Sequence, residues 1–131
     1  MEAKMVGVGS QYLGTYKDAS GAYLSGGQDY HLRLPAGIPA KNFWSVTVYD
    51  AETRSLLQNG QPKPSISTYD QPDVNPDGSV DVFFGPRAPK GKAKNWIQTV
   101  PGRGHFVWIR LYGPLEPFFE QTWRPDDIVK V

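Results

Sequence analysis

Short apolar runs with a period of two, each closed off by turn residues, constrain this chain more than anything else in it. Such alternation puts every second side chain on one face of an extended strand. Tyr30–Leu34, Phe43–Tyr49, Val80–Phe84 and His105–Tyr112 carry the pattern best. Tyr12–Tyr16, Ile66–Tyr69, Trp96–Val100 and Ile128–Val131 are further candidates. Gly, Pro, Asn and Asp cluster between them, at Ser25–Gly27, Pro35–Pro39, Pro72–Gly78, Gly85–Gly91 and Pro101–Gly104. Evenly spaced short strands with turn signals between them predict a sandwich or a small barrel. No long helical pattern lies between the strands, so a parallel βαβ architecture is not expected.

Two short helices are expected beside the strands. One is Ala51–Leu57, with Asp50 as its N-cap. The other is Leu115–Thr122, where Pro114 suits a first helical position and Glu116 complements the helix dipole. Leu115, Phe118, Phe119 and Trp123 would form its buried stripe. The 131 residues fit one domain spanning 1–131, and neither a repeat nor a boundary interrupts them. At 39% hydrophobic and 13% aromatic residues, the chain can build a core without covalent staples.

Composition removes several kinds of chemistry. There is no cysteine, which excludes disulfides, thiolate metal sites and a cysteine nucleophile. A net charge of +1 gives no bulk field for nucleic acid or an anionic membrane. Residues Met1 to Ser10 hold no apolar run of signal-peptide length, and no segment approaches a membrane span. The expectation is a cytoplasmic protein with no nucleic-acid or membrane partner.

The two strongest strands are two-sided. One face of Phe43–Tyr49 reads Phe43, Ser45, Thr47, Tyr49, and the other reads Trp44, Val46, Val48. One face of Phe106–Tyr112 reads Phe106, Trp108, Arg110, Tyr112, and the other reads Val107, Ile109, Leu111. The aliphatic faces belong to a core. The aromatic and polar faces either line a groove or meet solvent, since Tyr and Trp suit half-buried positions.

Motifs that carry chemistry are incomplete. Asp73 to Asp81 places oxygen-bearing residues at the first, third, fifth and ninth positions, with glycine at the sixth, as a calcium loop requires. Phe84 then stands where the bidentate Glu belongs, and Asn75-Pro76-Asp77-Gly78 reads instead as a β-turn. Gly85 to Lys92 has the wrong glycine spacing for a phosphate loop, and two prolines remove amides that phosphates would need. Its cations Arg87, Lys90, Lys92 and Lys94 read as a solvated basic loop. Asp50 and Arg54, four residues apart, would share a helix face; the pair is a surface ion pair or a clamp for a substrate carboxylate. His31 and His105 are the only histidines and lie on different strands, so a two-histidine metal site is not expected. No metal and no cofactor are expected.

Four ordered segments resemble a known family. They are Phe43-Trp44-Ser45 with Tyr49-Asp50 and Thr53-Arg54-Ser55; Asp77-Gly78-Ser79-Val80-Asp81 running into Phe84-Gly85-Pro86; Asn95-Trp96-Ile97-Gln98-Thr99 with Pro101-Gly102; and Arg110-Leu111-Tyr112 with Pro114-Leu115-Glu116. Together they resemble the domain-of-unknown-function family numbered 1214, from about Tyr12 to Ile128. The resemblance implies an all-β, jelly-roll-like β-sandwich. It also implies that such a domain usually follows another, of the family numbered 1254, in longer chains. The family often carries an aromatic such as Trp where this chain has His105.

Three functional readings follow. The first is a module that binds a small polar ligand or carbohydrate, or docks a partner polypeptide. Tyr49, Trp96, Trp108 and Tyr112 would stack, and Asp50, Arg54, Asp81, Asn95 and Arg110 would hydrogen-bond. The second is a hydrolase or lyase with Asp81 or Asp50 as base and Arg110 stabilising charge. The third is a structural domain whose aromatic surface joins copies into a homo-oligomer. Convergence of Asp81, Asn95 and Arg110 in one pocket separates the first two readings from the third.

Overall fold

The computed structural model describes residues 10–38, 40–51, 65–70, 72–114 and 128–131. Among the described residues, eight strands fall where the alternation predicts them. They are β1 (Ser10–Thr15), β2 (Tyr30–Leu34), β3 (Ala40–Asp50), β4 (Ser65–Ser67), β5 (Val80–Gly85), β6 (Trp96–Gln98), β7 (His105–Pro114) and β8 (Val129–Lys130). Short 3₁₀ turns occupy Thr68–Asp70 and Ala93–Asn95. The expected helix Leu115–Thr122 lies outside the described residues, as does all of Ala51–Leu57 except Ala51, which is a turn.

The strands form two four-stranded sheets, ordered β1-β7-β3-β4 and β6-β5-β2-β8. All pairings are antiparallel except β5 with β6. The central ladder of the first sheet joins β3 to β7 with Trp44 opposite Leu111, Val46 opposite Ile109 and Val48 opposite Val107. In the second sheet Leu32 lies opposite Val82 and Tyr30 opposite Phe84. These inward residues, with Leu34, Ile66, Val80 and Ile97, make one continuous core. Each such fully buried side chain contributes roughly 1.5–3 kcal/mol of hydrophobic stabilisation. On β3 and β7 the intervening residues Ser45, Thr47 and Tyr49, and Phe106, Trp108 and Arg110, lie on the opposite face, as the alternation predicts.

The turn at Asn75–Gly78 closes as its composition demands. Gly78 N–H donates to Asn75 O at 2.8 Å, and Gly78 adopts a φ of 90° that a side chain would strain. Asp77 Oδ1 accepts from Ser79 N and Ser79 Oγ, and these bonds hold its carboxyl below the usual range. Its oxygens therefore shape the turn rather than converge with Asp73. No cluster of three or more metal-ligating side chains occurs among the described residues.

Candidate functional site

The outer face of the second sheet carries a cross-strand polar and aromatic arrangement. On β2, His31 and Arg33 alternate outward opposite Phe83 and Asp81 of β5, and Asp29 just before β2 lies against Gly85. His31 also pairs with Val129, and Phe83 with Trp96. One row across four strands thus reads Val129, His31, Phe83, Trp96. The His31 and Phe83 rings are near-parallel, with centroids 5.1 Å apart. Trp96 Nε1–H donates to Gly85 O at 3.0 Å, which fixes the indole against β5. An alanine Cβ at position 85 would meet Asp29 Oδ1 at 2.1 Å, so the Asp29 carboxylate lies over the glycine.

Asp81 anchors one end of this face. Its Oδ1 accepts from His31 Nε2 at 2.6 Å and from Arg33 Nε at 3.0 Å, and its Oδ2 accepts from Asn75 Nδ2 at 2.9 Å. Burial pushes the carboxyl up, but the bonds from Arg33, Asn75 and His31 outweigh it and hold the pKa at about 2. An ionised carboxylate only accepts, so the His31 proton facing it sits on Nε2. When the ring is neutral, Nδ1 carries the lone pair.

Asn95 is buried and holds chain rather than ligand. Its Oδ1 accepts from Asp73 N at 2.8 Å, and its Nδ2 donates to Asp73 O at 2.9 Å and Asp81 O at 2.8 Å. It ties the 72–79 loop to β5.

The remaining sequence candidates lie elsewhere. Arg110 and Tyr112 are on the outer face of the first sheet, where Arg110 Nη1 donates to Tyr112 Oη at 2.8 Å. Trp108, on the same face, has its ring 3.5 Å from where a Cβ on Gly14 would be. Tyr49 stacks on Phe106, which stacks on Tyr16, with centroid separations of 5.2 and 4.7 Å. Asp50 turns inward at the end of β3 and is 4% exposed. Its Oδ2 accepts from Arg103 Nε at 2.5 Å, a partner 53 residues away. Arg54 lies outside the described residues. The alternation therefore divides the candidates. Asp81, Trp96 and the clamp Asn95 belong to the second sheet, Tyr49, Arg110 and Tyr112 to the outside of the first, and Asp50 to the interior edge. Asp81 and Arg110 point away from opposite sides of the sandwich.

Sequence reasoning missed His31, Arg33 and Phe83 as neighbours of Asp81. Their outward position on alternating strands was the available signal, but the pairing of β2 with β5 spans about fifty residues. A separate apolar groove of about 330 Å³ opens at one end of the sandwich, lined mainly by Ile38, Trp44, Thr68, Pro72, Val74 and Val80. Its Thr68 hydroxyl is already engaged with Trp44 N and O.

A two-sheet sandwich with a polar–aromatic outer face defines a class of all-β module. Within that class the chain belongs to the protein family of unknown function DUF1214, whose model matches residues 9–116. A solved protein from Vibrio parahaemolyticus is similar over 93% of this chain, with a TM-score of 0.79 and 23% identity. An uncharacterised protein from Burkholderia cenocepacia covers the same share, with a TM-score of 0.58 and 16% identity. The chain spans only 30% and 29% of those two chains. These likenesses establish the fold. No curated protein matches. No helix among the described residues is long and apolar enough to cross a membrane.

Proposed function

We propose that this chain is a non-catalytic binding module that takes a small polar ligand of carbohydrate type on the outer face of its second sheet. The cross-strand row of His31, Phe83 and Trp96 carries the reading. Three rings on one sheet face offer apolar surface to the C–H side of a sugar, and Asp29 at the edge of the row offers a hydroxyl acceptor. The anchoring favours binding over catalysis. Asp81 is committed to three donors and, with a pKa of about 2, is a weak base near neutral pH. Asp50 is committed to Arg103. Arg110 stands on the outer face of the first sheet, on the other side of the sandwich from Asp81, and donates to Tyr112.

Titration of labelled protein with a panel of neutral oligosaccharides tests this. Amide shifts should cluster on β2, β5 and β6, and Trp96→Ala should weaken affinity at least tenfold. Shifts centred on Arg110 and Tyr112 would move the site to the first sheet. Absence of any shift at millimolar sugar would overturn the ligand reading. A second reading, docking of another domain, draws on the length of the two solved relatives, in which a module like this is less than a third of the chain. Under it, the same amides would shift on adding a companion polypeptide and not on adding sugar.

A further inference from the structure

His105 is an anomaly of the core. It opens β7 on the inward face, directly opposite Asp50 in the ladder. It is 2% exposed, and among the described residues neither ring nitrogen has a hydrogen-bond partner. Tyr30 meets it edge-on at 5.9 Å and Phe84 lies 6.4 Å away. A buried polar group left unpaired costs about 1–3 kcal/mol, and an apolar ring of similar shape would avoid that cost. Asp50, opposite His105 in the ladder, is held by Arg103. The guanidinium is always charged and outcompetes a neutral imidazole for that carboxylate.

The surrounding chain is pinned as one unit. Gly26 N donates to Arg103 O at 3.0 Å, Ala51 N to Gly104 O at 3.0 Å, and Thr99 Oγ1 to Gly26 O at 2.8 Å. A Cβ on Gly26 would lie 1.8 Å from Val100 O, so the two segments touch backbone to backbone.

We propose that His105 is an acid-operated release for this end of the sandwich. Protonation places an imidazolium among Tyr30, Phe84 and the Asp50–Arg103 pair. The imidazolium competes with Arg103 for Asp50 and frees the Leu24–Gln28 and Val100–Gly104 segments together. Among the described residues, Tyr30 from β2 meets the ring, and Asp50 from β3, carrying Arg103, stands opposite it in the ladder. The packed face of β5 adds only the uncharged Phe84. Burial already holds the ring's pKa down, at about 4 against an ordinary 6.5. An opened end, with the ring in water, takes up the proton first, so opening becomes easier as pH falls through that interval.

Hydrogen exchange, corrected for intrinsic rates, tests the release at pH 6.5 and pH 4. Protection of the Gly26, Ala51 and Arg103 amides should fall roughly a hundredfold in the wild type while β2–β5 ladder amides keep theirs. His105→Phe should hold those amides at near-constant protection, and His105→Gln, polar but not basic, should do the same if the phenylalanine variant packs differently. Asp50→Asn removes the ion pair that pins this end, so protection of the same amides should already be lower at pH 6.5. Equal acid sensitivity in the phenylalanine or glutamine variant would overturn the proposal. So would loss of protection spread evenly over the whole sandwich in the wild type.

Discussion

His31 and His105 each meet an aspartate across a strand pair, and the two meetings end differently. On the outer face of the second sheet, His31 reaches Asp81 diagonally and donates to it at 2.6 Å. On the inner face of the first, His105 stands directly opposite Asp50 and has no hydrogen-bond partner among the described residues, while Asp50 accepts from Arg103. The outer pair is partly solvated and shares its aspartate with Arg33 and Asn75. The inner histidine is buried, packs against the Tyr30 and Phe84 rings, and has no hydrogen-bond partner among the described residues. The comparison teaches that register sets proximity, while the competing donor and the access of water set the chemistry.

The glycines beside the two histidines give the largest contrast. At the buried end, Gly26→Ala forces a Cβ against the carbonyl of Val100 at 1.8 Å, where only backbone can yield. Denaturant unfolding should show a loss of about 3 kcal/mol, at the upper end of what overpacking costs. A loss under about 1 kcal/mol would mean that this end already yields easily at neutral pH.

The pH dependence separates the two aspartate–histidine meetings. His105 has a depressed pKa in the folded protein, so between 6.5 and about 4 the unfolded chain binds more protons. Stability should therefore fall with acid across that window, by up to about 3 kcal/mol, and His105→Phe should remove the fall. Asp81 also has a depressed pKa, from 3.8 to about 2, and its contribution is full above 3.8. That contribution is lost as pH drops through about 2, and is worth about 1–2 kcal/mol after allowing for its partial exposure. Asp81→Asn should erase the lower window and leave the upper one. Thermal melts from pH 7 to pH 2 distinguish the two, and a single merged transition unaffected by either substitution would break the comparison.

The smallest effect belongs to Gly85→Ala on the surface face. Its Cβ would meet Asp29 Oδ1 at 2.1 Å, but that atom ends a flexible, exposed side chain that can swing aside. Unfolding should report a change under about 1 kcal/mol. Oligosaccharide affinity should drop more visibly than stability, because the displaced carboxylate borders the ring row.

Alternation and the turn residues that bound it located the eight strands of the described residues, though the runs at Ile66–Tyr69 and Trp96–Val100 end earlier, at Ser67 and Gln98. Alternation also gave the sidedness of β3 and β7, and the Asn75–Gly78 turn followed from local backbone preference. The four ordered signatures gave the family. What the sequence could not contain is the pairing of β2 with β5 and of β3 with β7, because those partners are about fifty or more residues apart and local preference does not choose between strands. Tertiary structure therefore decided that His31 meets Asp81, that Asp50 takes Arg103, and that Asn95 clamps a loop. It also decided that Asp81 and Arg110 face opposite ways: each sits on the outward side of a different sheet, and the core lies between them.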